Sequence, residues 1–357
     1  MKTYIKFLSK IFLNSFLYVT LIIFSLVFIL NLLSEIDFFK DLDVNNFFPI
    51  YLSILNSPTL IFEMFPFIFL ISTQLFFISL FNNDELNIFK YTGLKNTKIL
   101  IILSTISFVL GLLIISLFYN FSSNLKNFYL DIKSNYTSDG KYLAVITKNG
   151  LWIKDIIDDK TLLINASKIE QNFLKDAHIS EFDQNFQIIK NIISPKIDVK
   201  NTEWVVYEAE VLIENNKENF EIYNYKTNFD YHIIKNLFSN LSSLSVIELV
   251  NMRENYISLN YSLTDLNMHL LNLFSYPFYL ILMTLISGII MLNTKNFTNK
   301  YSKILLGLFV SVTIYYIFNY FYVLGMSEKI NLILSISSPL IILLFTNVYF
   351  LRNINAK

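Results

Sequence analysis

The sequence predicts an α-helical integral membrane protein with six transmembrane helices. An all-β, jelly-roll-like domain is inserted between helices 3 and 4. Three observations predict this architecture. Six long runs carry no charge, the basic residues cluster on alternate loops, and the pattern of the central segment changes from helical to β.

A spanning helix needs about 20 residues free of charge. The uncharged runs are 11–34, 64–83, 99–125, 270–294, 304–327 and 330–351. They place helices near 12–33, 58–81, 99–120, 270–292, 304–324 and 330–351. Residues 44–62 are also uncharged, but Pro49, Pro58 and several Asn and Ser interrupt them. Proline removes a helix donor, so this stretch reads as an interfacial helix leading into the second span. A seventh span would move the later basic clusters to the wrong side.

Positive residues favour the cytosolic side. Lys2, Lys6 and Lys10, then Lys90, Lys95 and Lys98, then Lys295, Lys300 and Lys303, then Arg352 and Lys357 all fall on one side of a six-span path. The short loops opposite hold only Lys40 and Lys329. Both termini and residues 82–98 are therefore expected in the cytosol. The first apolar run is too long for a cleaved leader and lacks a small-residue cleavage site, so it reads as an anchor.

Domain boundaries follow: 1–120 for the first three spans, 121–268 for the external domain with a return helix, and 269–357 for the last three spans. In the external segment, Tyr142–Ile146 and Leu151–Asp155 flank Asn149-Gly150, a pair suited to a tight hairpin turn. Further strands are expected at Thr161–Ile164, His178–Phe182, Phe186–Ile189, Trp204–Ile213 and Phe220–Tyr225. Short strands separated by turn signals suggest a sandwich or jelly roll, whose open edges can accept a partner strand. Ser245-Val246-Ile247-Glu248 has the form of a capping box and predicts a helix over about 245–256.

Composition excludes several functions. Net charge is zero, which gives no footprint for nucleic acid. There is no cysteine, hence no disulfide and no thiolate site. His178, His232 and His269 lie far apart and suggest no metal site. No Gly-rich phosphate loop is present; Gly140-Lys141 is the only Gly-Lys pair and is followed by Tyr142. No catalytic residues or enzyme activity are predicted, so any active work draws its energy from another chain. Glu63, the one acid within a predicted span, lies near its outer end and reads as snorkelling to water.

The island from Asn82 to Lys95 separates two apolar runs. Asn82 or Asn83 can cap a helix there. Asp84 and Glu85 then fall in its first turn, and Lys90 and Lys95 toward its end, as the helix dipole favours. Gly93 can end the helix or admit a close partner.

These features resemble the lipopolysaccharide export permeases LptF and LptG. Asp84-Glu85-Leu86 followed by Gly93 resembles that family's Ser-Glu-Leu…Gly segment after the second span. Asn149-Gly150-Leu151-Trp152-Ile153-Lys154 is similar to the Gly-x-Trp hairpin that opens the family's external domain. Ile179-Ser180-Glu181-Phe182-Asp183 and Trp204-Val205 follow in the family's order, and Pro58, Pro66, Pro277 and Pro339 fall near family prolines. The Leu-Trp-Ile-Lys hairpin favours LptG over LptF.

The resemblance implies a permease subunit of an ABC exporter in the inner membrane of a Gram-negative cell, with its β-domain in the periplasm. Its partners would be a homodimeric cytosolic LptB-like ATPase, a second LptF-like permease, a bitopic LptC-like protein and a periplasmic LptA-like bridge, with lipopolysaccharide as substrate. ATP and Mg would be bound by the partner ATPase, with no cofactor in this chain. Spans one and five would form lateral gates.

The same resemblance makes the helix at about 84–95 an ATPase-coupling element carrying Asp84, Glu85, Leu86, Phe89 and Gly93. The bland alternative is a helix resting on its own membrane domain. Lys40 is a candidate phosphate contact or a simple surface anchor. The family's lysine near the outer end of span one is replaced by Ser34, amid Glu35, Asp37, Asp41 and Asp43, which leaves cation-bridged contact as a substitute. Leu273 and Phe274 stand where the family has a base before the proline of span four. Tyr315, Tyr316, Phe318, Tyr320 and Phe321 are candidates to line an acyl-chain cavity or to form an aromatic belt. Trp152, Phe182 and Trp204 read as core of the external domain rather than as lipid contacts. Two other functions fit the bare residues: a membrane-anchored periplasmic scaffold, and an ion-coupled transporter dependent on Glu63.

Overall fold

The computed structural model describes residues 3–134, 136, 151–157, 160–170, 172–213, 216–231, 233–234, 240–258, 261–293, 300–352 and 354. The chain divides into two compact units. One joins Met1–Lys126 to Thr264–Lys357, and the other is Asn127–Leu263.

The first unit is helical. In order it contains α1 (Thr3–Phe38), α2 (Phe48–Asn82), α3 (Glu85–Tyr91) and α4 (Asn96–Leu113). A π-helical turn (Ile114–Tyr119) then leads into α5 (Asn120–Ser134), whose residues after Lys126 belong to the second unit. After the inserted domain come α7 (Thr264–Asn293), α8 (Lys300–Met326) and α9 (Leu332–Leu351). Among the described residues, six runs are long and apolar enough to cross a membrane, with α4 to α5 counting as one run over Asn96–Ser134. The spans at α2 and α7 are central, while α1, α8 and α9 leave most of their surface open. Phe12, Phe69 and Phe76 are fully buried where α1 meets α2, and Phe77 is fully buried beside Gly288 of α7.

The stretch before the second span is not a separate interfacial helix. It is the first half of α2, which runs unbroken through Pro58 and Pro66. At 1.5 Å per residue, α2 is about 50 Å long against a hydrocarbon core of about 30 Å. The extra length belongs to the same helix as the span and forms no separate helix. A neighbouring group satisfies what Pro66 releases. Pro66 frees the carbonyl of Phe62, and the Tyr276 hydroxyl of α7 donates to it. The Phe62 and Tyr276 rings also stack at 4.7 Å. The hydroxyls of Ser53 and Ser57 donate to the carbonyls of Pro49 and Ser53, at 2.7 and 2.6 Å.

The third span also outruns its expected end near residue 120. Ser122 and Ser123 are buried, and their hydroxyls donate to the carbonyls of Tyr119 and Asn120. Polarity in the sequence thus did not stop the helix. The π turn sets the Tyr119 hydroxyl 2.8 Å from His269 Nε2.

The second unit holds a seven-stranded antiparallel sheet between the third and fourth spans. Its strands are β1 (Leu151–Ile157), β2 (Lys160–Ala166), β3 (Lys168–Glu170), β4 (Phe173–Phe182), β5 (Ile188–Asp198), β6 (Glu203–Ile213) and β7 (Asn216–Lys226). The order is β1-β2-β4-β5-β6-β7, and β3 pairs with β4. Leu151 faces Ala166, Phe173 faces Asp198, and Glu203 faces Lys226. Alternate residues such as Ile153, Ile164, Ile179, Ile192 and Val206 build one core with Trp204 and Phe229. The expected strand at Tyr142–Ile146 and the turn at Asn149-Gly150 lie outside the described residues.

One strand was misplaced by the sequence reading. Phe186 is an exposed turn residue with φ of 56°, not strand. The Asp183 side chain holds this turn by accepting from the amides of Asn185 and Gln187 at 2.9 and 2.8 Å. β5 instead continues to Asp198 through Pro195, which normally argues against a central strand. The flanking strands accommodate it. The ladder with β4 skips one pair there and the ladder with β6 skips two, and Asp176 and Glu208, on either side, take φ of 47° and 49°.

The return helix α6 (Val246–Ser258) starts at the capping box. The Ser245 amide donates to Glu248 Oε2 at 2.7 Å, and the Glu248 amide to Ser245 Oγ at 3.4 Å. Ser245→Ala is expected to cost about 0.5–2 kcal/mol, read as a lower unfolding midpoint.

Candidate functional site

Four places carry the candidate residues: α3, the second half of α8, the end of α1, and the β-domain. α3 is shorter than the expected helix at 84–95. Neither Asn82 nor Asn83 caps it, because Asn82 ends α2 and Asn83 follows as its C-cap. Asp84 takes the N-cap position with φ of 56° and makes no side-chain cap bond. Glu85 is the first-turn acid and Lys90 the last-turn base, while Lys95 lies beyond and precedes α4. The end is a Schellman motif. Gly93 has φ of 83°, its amide donates to the Lys90 carbonyl at 3.0 Å, and the Leu94 amide donates to Phe89 at 2.9 Å. Nothing lies within 4 Å of where a Gly93 Cβ would be, so this glycine serves the turn and not a close approach within the chain.

The two faces of α3 differ from the face expected. Leu86 is 6% exposed and belongs to the helical core with Leu8, Phe12 and Leu80. Phe89 is half-buried, its ring 6.1 Å from Phe7. These two residues attach α3 to its own unit. The open face carries Asp84, Asn87, Ile88 and Tyr91, with Tyr91 91% exposed. Glu85 lies between the faces. Its Oε2 is buried and has no hydrogen-bond partner among the described residues. Ile88 and Tyr91 were missed because a seven-residue helix with apolar residues on both sides has no single amphipathic face to read.

On α8, Phe318 points inward and stacks on Tyr279 of α7 at 4.2 Å. Tyr315, Tyr316 and Tyr320 are exposed, and Phe321 is half-buried beside Tyr320. The aromatic group is therefore split between one packing residue and an open tyrosine face. Lys40 is exposed just beyond α1, near exposed Asp37, Asp41 and Asp43, whereas Glu35 is turned in and buried. Glu63 on α2 is exposed and interacts electrostatically with Lys126 of α5. Among the described residues, no group of three or more His, Asp or Glu side chains could hold a metal ion.

In the β-domain, Trp204 is fully buried and its Nε1 donates to the Phe229 carbonyl at 2.7 Å. Trp152 is 54% exposed and is not core. Leu151, Ile153 and Asp155 take the inward positions of β1, which turns Trp152 outward. Phe182 is half-buried at the end of β4. The outer edge of β1 is occupied: Tyr261 accepts from the Lys154 amide at 3.1 Å, and Asn228 donates to the Ile156 carbonyl at 3.1 Å. Among the described residues no strand pairs with the outer edge of β7.

A charged cluster sits against the inward face of β4. Glu181 accepts from Lys160 at 2.7 Å and from the Tyr225 hydroxyl at 3.2 Å, with Lys190 at 3.5 Å. Burial alone would raise its pKa, but the Lys160 bond and the Lys190 and Lys160 charges outweigh burial and hold it below the ordinary value. Its stabilising effect is therefore full above the ordinary Glu range and is lost as pH falls through the depressed folded value. Glu181→Gln should lower the unfolding midpoint at pH 7, and its deficit against the parent chain should shrink as the pH is taken below 4. A pH series of thermal unfolding reads both.

The layout of six spans with an antiparallel domain after the third is matched along the sequence. The family model for the lipopolysaccharide export system permease LptF/LptG covers residues 6–353. The chain belongs to the LptF/LptG family. No curated protein matches it in sequence. As an LptF/LptG permease it is a multi-pass membrane protein of the lipopolysaccharide export system. The family model covers LptF and LptG together and does not divide them.

Proposed function

We propose that this LptF/LptG chain is the permease subunit of an ABC exporter. In this reading it extracts lipopolysaccharide from the inner membrane and passes it to a periplasmic bridge. A separate LptB-like ATPase dimer drives it, and a second permease completes the path. Both termini and α3 face the cytosol, and the β-domain is periplasmic, as the basic loops suggest.

The observation that carries this reading is the family match over nearly the whole chain, combined with an exposed apolar face on α3. A solvent-facing Tyr and Ile on a short helix held by its other side suit a partner surface. In this reading Asp84, Ile88 and Tyr91 form the contact, with Glu85 beside them, and the buried Leu86 and half-buried Phe89 anchor the helix. The edge of β7, unpaired among the described residues, suits strand addition by an LptC-like or LptA-like jelly roll. The open tyrosine face of α8 suits lipid or the second permease.

Purification from the native membrane in mild detergent tests the proposal. An ATPase and a second six-span permease are expected to co-purify. Recovery of the chain alone, or with periplasmic proteins only, would leave the scaffold reading in place. The ion-coupled reading requires that Glu63→Gln abolish transport; the exporter reading expects little change.

A further inference from the structure

α8 is the most exposed of the six spans, yet it is fastened to α2 by a specific polar joint. Gln74, fully buried on α2, donates from Nε2 to the Lys303 carbonyl of α8 at 3.0 Å. The amide reaches that carbonyl because residue 307 is glycine. A Cβ there would lie 1.9 Å from Gln74 Nε2 and 2.8 Å from Cδ. Ser311, one turn on, is fully buried, so α8 presents the small-xxx-small pattern that lets membrane helices approach closely. On the same turn of α2, the Leu70 carbonyl accepts from Ser287 of α7 at 2.7 Å. α2 is thus tied to both neighbours at one level. Gln74 Oε1 has no partner among the described residues, so only one half of the amide is used.

The position of this joint gives it a use. Gln74 lies eleven residues before Glu85 on a helix that leads directly into α3. α8 carries the open face of Tyr315, Tyr316 and Tyr320. We propose that the Gln74–Gly307 joint transmits displacement of α3 to α8, which makes Gln74 a positioning residue for the fifth span. This rests on the reading that α3 docks an ATPase. The joint lies eight residues from the end of α2 that leads into α3, and packed side chains and rigid helices can carry coupling over such a distance.

The chain has no cysteine, so spin labels can be placed at will. Cysteines replacing Val109 of α4 and Val312 of α8, both exposed, would report the position of α8 by pulsed electron resonance. The measurement uses the assembly purified from its native membrane, with and without ATP. In the parent chain the distance is expected to change with ATP. Gln74→Ala should keep ATP hydrolysis within about twofold while removing most of the distance change and lowering lipopolysaccharide release about tenfold. Gly307→Ala should do the same, and the Gln74→Ala/Gly307→Ala pair should cost less than the product of the two, because removal of the amide makes room for the methyl. Gln74→Ala keeps the test open if Gly307→Ala fails to fold. An unchanged distance response and unchanged release in Gln74→Ala would overturn the joint while leaving the exporter reading intact. A parent chain that binds no ATPase would overturn the docking reading, and the joint with it.

Discussion

Replacing Ile88 and Tyr91 together by Asp is expected to abolish capture of the partner ATPase. Both side chains are exposed on the open face of α3, so the chain itself should fold and insert normally. Truncating a central aromatic contact typically costs 2 kcal/mol or more, about a thirtyfold loss of affinity. Two buried carboxylates would cost more still. Leu86→Ala should behave in the opposite way. It opens a cavity in the helical core and should cost about 2–5 kcal/mol of stability, lowering yield before it lowers affinity. Co-purification measured against membrane yield separates the two results. Glu85→Arg belongs with the first group, because it places a base where the parent chain holds an acid beside the open face.

The second large effect is expected at Trp204. Removing its buried ring in Trp204→Ala should cost about 3–5 kcal/mol. It also leaves the Phe229 carbonyl without its donor. Against a typical total of about 5–15 kcal/mol, that loss is a large share and should lower the unfolding midpoint of the β-domain sharply. Trp152→Ala, on the exposed face of β1, should change stability by less than about 0.5 kcal/mol. The chain has two tryptophans, so each variant keeps one to report the transition by fluorescence.

The contrast between those two tryptophans shows where sequence reading stops. The spans were legible because a charge in the bilayer is costly, so the charged residues mark the loops directly. The capping box at Ser245 was legible because its chemistry is local. Trp152 and Trp204 depend on which side of a strand faces the core. In Leu151-Trp152-Ile153-Lys154-Asp155, apolar residues occupy both sides, and the acid Asp155 lies inward, where Asn228 satisfies it. Only the register settles such a strand. The first half of α2 was misread for a similar reason. Its prolines and serines are poor helix formers in isolation, and the Tyr276 hydroxyl that rescues the Phe62 carbonyl lies more than two hundred residues away.

The candidate site was legible in kind but not in orientation. The charged island, its acids before its bases and its closing Gly93 all pointed to a short helix outside the membrane. Which of Leu86 and Ile88 faces out depends on packing against Leu8 and Phe7, residues of α1. Gln74 and Gly307 gave no signal at all, since a glutamine and a glycine in separate apolar runs acquire meaning only when α2 and α8 meet.

The exporter claim is tested most directly by ATP-driven release of lipopolysaccharide from proteoliposomes holding the co-purified assembly. The account predicts that lipopolysaccharide leaves the bilayer only with ATP and Mg present, and that the Ile88→Asp/Tyr91→Asp chain supports neither ATPase binding nor release. An assembly that hydrolyses ATP while its lipopolysaccharide stays in the bilayer would contradict it.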